Sequence, residues 1–150
     1  MNEANLRTLG NHQILGLFAD ILEELGRRGV TRSKNNPVAD YAEHLACRAF
    51  SLAPAEKSTK GYDATDSTGK KYEIKSRRKS IRSNPTRFSA ICDLQNRHFD
   101  LLVAVLFSQD FTVMRAVTCL PSDRGVLEGV STEMTWNRIC PGLRLPLVSK

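Results

Sequence analysis

The sequence has no pair of cysteines close enough to clamp a metal, and no apolar run long enough to cross a membrane. Cys47, Cys92, Cys119 and Cys140 lie far apart and make no CxxC pair. Zinc sites usually show such close pairs, so reduced thiols are expected instead. His12, His44 and His98 are equally scattered. The longest apolar stretch, Leu101 to Phe107, is the length of a buried strand and falls far short of the ~18 residues a membrane span needs. No basic-then-apolar signal region opens the chain, which points to a cytoplasmic protein with no membrane partner. Internal repeats and low-complexity segments are also missing.

What remains is ordinary in bulk and uneven in detail. With 150 residues, 41% hydrophobic and 25% charged, the chain is sized for one domain with its own core, and disorder is not expected. The net charge is +6, but it is concentrated. Lys70, Lys71, Lys75, Arg77, Arg78, Lys79, Arg82 and Arg87 stand against a single anion, Glu73, so residues 70–87 carry +7 and the rest of the chain −1. A basic patch of this kind suits a polyanionic partner, nucleic acid first among them. The ordinary alternative is a solvated loop.

Apolar residues at Ile14, Leu15, Phe18, Ile21, Leu22 and Leu25 recur at helical spacing, which predicts an amphipathic helix over 11–28 with this stripe toward the core. Gly29 suits the position just past its end. Asn36 followed by Pro37 is a cap and first-turn signal. A second helix is expected over 37–50, burying Val38, Tyr41, Ala42, Leu45 and Ala49, with Glu43 at the rim of that stripe. The segment "SLAPAEKSTKG" shows no strand pattern. A hairpin follows, then a short helix near 89–97. "FDLLVAVLF" reads as a strand buried on both faces. "DFTVMRAVTCL" reads as a further strand after a tight turn near 108–110, and one or two helical turns are possible within 120–129. The order helix, strand, strand, helix, strand, strand makes an α/β layered domain.

The hairpin "GYDATDSTGKKYEIK" carries the chemistry. Alternation sets Glu73 and Lys75 on one face and Tyr72 and Ile74 on the other, with roughly 6.7 Å between Glu73 and Lys75. Ser67-Thr68-Gly69 fits a three-residue connection ending in a left-handed glycine. That turn pairs Asp66 with Lys70, and counting back pairs Asp63 with Glu73, about 4.5 to 5.5 Å apart at Cβ. Two carboxylates so close repel unless a cation lies between them, and Mg²⁺ suits oxygen ligands while keeping waters for a phosphate. The (D/E)xK spacing alone carries little, since about one match is expected by chance in a chain with this many acids and lysines. Its company carries more: an aspartate facing the glutamate, a helix bearing Glu43 before the hairpin, and cations continuing the same strand. Asp66 fits a turn-stabilising role better than a ligand role.

These residues resemble the PD-(D/E)xK nuclease superfamily over roughly residues 37–118. The resemblance rests on Glu43, on Asp63 in "GYD", and on Glu73 and Lys75 in "YEIK"; Tyr62 stands where the proline of the family name would be. It implies a restriction endonuclease-like three-layer core, a mixed β-sheet flanked by helices. The chain would then be a single domain, with residues 1–35 as an N-terminal helical extension and 119–150 as a C-terminal one. It also implies an endonuclease that hydrolyses phosphodiester bonds in DNA with Mg²⁺, or Mn²⁺ in its place. Asp63 and Glu73 would hold the metal with the Ile74 carbonyl. Lys75 would position the attacking water, and Glu43 would support the site or a second metal. Lys70, Lys71, Ser76, Arg77, Arg78, Lys79, Arg82 and Arg87 would hold the nucleic-acid backbone.

Two other readings remain open: a non-catalytic nucleic-acid-binding module on the same fold, and a small DNA-binding regulator that reads with its N-terminal helices. One site cuts one strand, so a homodimer is also expected, with the N-terminal helix and Leu17 as a possible interface.

Overall fold

The computed structural model describes residues 6–56, 59, 61–79 and 98–120. Within them are two helices, α1 (Asn11–Arg27) and α2 (Pro37–Phe50), and five strands. These are β1 (Ala53–Pro54), β2 (Ala64–Thr65), β3 (Lys71–Arg78), β4 (Leu101–Phe107) and β5 (Val113–Cys119). The expected helix near 89–97, the turns within 120–129 past Leu120, and Arg82 and Arg87 lie outside the described residues.

The strands form one mixed sheet in the order β1-β2-β3-β4-β5. Only β3 and β4 run parallel, with Tyr72 beside Leu101 and Arg78 beside Phe107. A parallel pair needs a crossover connection, unlike the hairpins that join antiparallel neighbours. The other neighbours are antiparallel. β1 falls in the segment where no strand pattern was visible. Two residues are too few to show alternation, and Pro54 is tolerated because β1 is the sheet's edge.

β4 is buried on both faces: Leu102, Val103, Ala104 and Val105 are all within 2% of complete burial, as its unbroken apolar run predicts. One sheet face carries α2. Ala42, Leu45 and Ala46 of the helix pack with Ala64, Tyr72, Ile74, Val103, Val105 and Phe107. Val38, Tyr41, Ala49 and Phe50 pack at the margin of this cluster. The Tyr41 ring stacks on Phe107 at 5.4 Å between centroids. Asn36 caps α2 by accepting the Val38 N–H, with Pro37 in the first turn. Ser76 ties the helix to the sheet by donating its hydroxyl to the Val38 carbonyl.

α1 departs from expectation. Its stripe was expected to face the core, yet no residue of the helix is buried. Ile14, Leu15, Phe18 and Ile21 are exposed. Periodicity shows that a helix has an apolar face; it does not show what covers that face. Among the described residues, no helix is long and apolar enough to cross a membrane.

Candidate active site

The hairpin between β2 and β3 closes as its turn residues dictate. Gly69 adopts a φ of 83°, and its N–H donates to the Asp66 carbonyl at 3.0 Å. Asp66 organises the turn: its Oδ1 accepts from the Thr68 N–H, the Thr68 hydroxyl and the Lys70 N–H. The Thr68 hydroxyl is the main reason its carboxyl titrates below the usual range. All of its close partners lie within the hairpin, since Tyr72 donates its hydroxyl to Oδ2. Asp66 is therefore a turn residue.

With the turn fixed, the register follows. Thr65 pairs with Lys71 and Ala64 with Tyr72, and the ladder ends there; the expected Asp63–Glu73 pairing does not follow it, because the Asp63 N–H turns to the Tyr72 carbonyl, already opposite Ala64. Three bonds hold Asp63 in place. Its N–H donates to the Tyr72 carbonyl, its carbonyl accepts from the Ala55 N–H, and its Oδ2 accepts from the Ile74 N–H at 2.7 Å. The carboxyl is half-buried, and burial pushes it up to about 6. The Ile74 amide opposes that push, the Glu73 and Glu43 carboxylates add to it, and Lys75 counters it. Asp63, Glu73, Glu43 and Lys75 thus share one electrostatic neighbourhood, with more negative charge than it neutralises. Lys75 Nζ forms an ion pair with Glu73.

Glu43 reaches this neighbourhood from α2 and forms an ion pair with Arg32. Arg32 is a site residue that sequence reasoning missed. Its Nη1 also donates to the Ala55 carbonyl at 2.8 Å, so one guanidinium links Glu43 to the backbone that holds Asp63. Nothing in "TRSKNNP" marks this cation above its neighbours. Asp40 gave a fainter signal, an acid in the first turn of a helix. Its Oδ2 accepts from the Arg32 and Ser33 N–H groups and pins the loop that presents Arg32. Cys47 lies near enough to feel Arg32, Glu43 and Asp63, and burial raises its thiol pKa. That disfavours a reactive thiolate.

Among the described residues, no three histidine, cysteine, aspartate or glutamate side chains gather around one point to hold an ion by themselves. Magnesium does not require that. It binds through one or two carboxylates and keeps several waters for substrate phosphate. Two neighbouring carboxylates, one of them half-buried with its pKa raised, are a donor set that such a cation would relieve.

The cations divide by face. Lys71, Lys75 and Arg77 alternate with the core residues and share the Glu73 face of β3; Ser76 and Arg78 take the opposite face. The Ser76 hydroxyl is engaged by α2, and the Arg78 guanidinium lies 4.5 Å from the Phe111 ring centroid. Lys71 Nζ sits 5.0 Å from the Tyr62 ring centroid. Lys70 is in the exposed turn, and the Lys79 N–H donates to the Phe107 carbonyl just past β3. His44 Nδ1 lies 3.1 Å from the Gly29 carbonyl. Asp100 accepts the Lys71 N–H and donates its own N–H to the Lys71 carbonyl, closing the start of the parallel pair.

Comparison with protein-family models and with curated proteins returns no match to this chain.

Proposed function

We propose that the chain is a magnesium-dependent endonuclease that hydrolyses phosphodiester bonds in DNA, built on a restriction endonuclease-like fold. One observation carries this reading. The hairpin brings a half-buried, raised-pKa Asp63 within electrostatic reach of Glu73, and Lys75 pairs with Glu73 on β3. The order α2, β1, β2, β3 and then a parallel β4 supports the fold assignment.

A magnesium ion held by Asp63, Glu73 and the Ile74 carbonyl would supply Lewis-acid polarisation of the scissile phosphate and a more acidic bound water. The chain's own residues do the rest. Lys75 orients the attacking water and offsets charge that develops on the phosphate. Its ion pair with Glu73 keeps the ammonium at the carboxylates. Arg32 holds Glu43 so that this third acid stays oriented toward Asp63. Lys71 and Arg77, on the same strand face, contact the DNA backbone on either side of the site.

The two ion pairs, Arg32 with Glu43 and Lys75 with Glu73, also suit a non-catalytic nucleic-acid-binding module, because each acid already has a cation. Plasmid nicking decides between the readings. Wild type with Mg²⁺ should convert supercoiled to open-circular DNA, and Lys75→Ala should lose at least about a hundredfold in rate. A wild-type protein that binds DNA without nicking it in Mg²⁺ or Mn²⁺ is the binding module.

A further inference from the structure

The two ion pairs at the site differ in how firmly their cations are held. Lys75 meets Glu73 through an ammonium at the end of a flexible four-carbon stem. Arg32 meets Glu43 through a planar guanidinium, and the residue is fixed at both ends. Its Nη1 donates to the Ala55 carbonyl at 2.8 Å, and its backbone N–H donates to Asp40 Oδ2 at 2.9 Å. The same oxygen of Asp40 accepts from the Ser33 N–H and hydroxyl. The Arg32 and Glu43 side chains are only 34% and 17% exposed, so solvent ions screen their attraction weakly. A guanidinium also stays charged at every working pH.

Arg32 therefore does at Glu43 what a metal ion would otherwise do. The Glu43 carboxylate adds to the negative charge that disfavours ionised Asp63, and the cation beside Glu43 offsets it. Displacing the guanidinium would strand the Ala55 carbonyl. It would also loosen Ala55, whose N–H donates to the Asp63 carbonyl. Magnesium sheds its waters reluctantly and demands near-octahedral geometry, so an ion at Glu43 would meet both costs. Exchange at Glu73 is easier, because an ammonium can swing from the carboxylate to a phosphate without breaking the backbone frame. Charge points the same way. Glu43 and Glu73 each have a cation, whereas Asp63 is in no ion pair among the described residues. One further cation is what the cluster lacks.

We propose that Arg32 is a built-in cation standing in for a second metal ion at Glu43, so that the site takes one divalent ion per chain, at Asp63 and Glu73. The inference rests on the hairpin being a magnesium site, and it goes beyond that reading by assigning Glu43 no metal. Arg32 is a positioning residue, since it touches neither metal nor phosphate.

Mn²⁺ binding to the full chain, followed by loss of the free-ion electron paramagnetic resonance signal, counts the ions without any need for catalysis. Wild type should bind one Mn²⁺ per chain. Glu43→Gln should still bind one, because its carboxylate holds no metal. Arg32→Gln should bind two, and the double variant Arg32→Gln/Glu43→Gln should return to one. If Arg32→Gln unfolds in chelator, Mn²⁺ should restore its helical circular dichroism with two ions bound. A wild type that binds two ions overturns the proposal and leaves the nuclease reading standing. So does a folded Arg32→Gln that stays at one, or an unfolded one that Mn²⁺ does not rescue. A wild type that binds none overturns both. The predicted counts without plasmid nicking would uphold the proposal and remove the hydrolytic reading alone.

Discussion

The Ile74 N–H donates to Asp63 Oδ2 at 2.7 Å, so the central carboxylate is oriented by the residue that lies between Glu73 and Lys75. The bond has an electrostatic cost to manage. It stabilises the ionised carboxylate, yet burial and two neighbouring acids outweigh it.

Asp63→Asn should therefore stabilise the metal-free protein. Burial pushes the carboxyl up to about 6 in the folded state, from an ordinary value of 3.8. Below 3.8 both states hold the proton and the group contributes nothing. As pH rises from 3.8 through about 6 the folded state is progressively penalised, reaching about 3 kcal/mol above both values. Urea unfolding in chelator should show Asp63→Asn more stable than wild type at pH 8 and nearly equal at pH 3.5. Mg²⁺ should raise the unfolding midpoint of wild type and not that of the variant. DNA affinity without metal should persist in Asp63→Asn, because no phosphate contact is removed. A variant less stable than wild type at pH 8 would contradict the charge imbalance at the site.

Arg77 and Arg78 should have separable effects. Alternation places Arg77 on the Glu73 face and Arg78 on the other, over Phe111. Arg77→Ala should weaken DNA binding across sequences and flatten its salt dependence by about one slope unit, the signature of one lost phosphate contact. Arg78→Ala should leave that slope unchanged and lower stability by roughly 0.5–1 kcal/mol through the lost cation–π contact. Equal flattening in both variants would mean that DNA runs along both faces of β3.

Where local chemistry determined the outcome, the sequence was readable. Ser67-Thr68-Gly69 set the turn, and the turn set the register as far as Ala64 opposite Tyr72; the departure at Asp63, whose N–H also bonds the Tyr72 carbonyl, carried no local signal. Asn36-Pro37 set the start of α2. β1 was hidden because two residues ending in proline carry no period. Arg32 was hidden because its partners, Glu43 and the Ala55 carbonyl, are brought to it only by the fold. The covering of α1 was misjudged for a related reason, since an apolar stripe looks the same whether or not the chain's own core covers it. The basic run was read as one patch, although a strand splits consecutive residues between its two faces.

Gly61 should be the least replaceable glycine near the site. It adopts a φ of +94°, and a Cβ there would lie 2.4 Å from His98 Cβ and 2.8 Å from its ring. Gly69 has a similar φ of +83° but open space around it. The two positions therefore separate backbone strain from crowding. Gly69→Ala should cost only the left-handed term, about 1–2 kcal/mol. Gly61→Ala should cost that and a further 1–3 kcal/mol or so for overpacking, because the contact is with the near end of the His98 side chain rather than a yielding tip. His98 leads into β4, and Gly61 precedes Asp63 by two residues, so relief of the clash shifts Asp63 relative to Glu73. Gly61→Ala should accordingly lose nicking activity as well as stability, although it alters no group that touches a metal or phosphate. Chemical denaturation of both variants, with nicking rates taken well below their unfolding midpoints, makes the comparison. Equal stability losses at the two positions, or full activity in folded Gly61→Ala, would show that the approach to His98 does not set the geometry of the carboxylates.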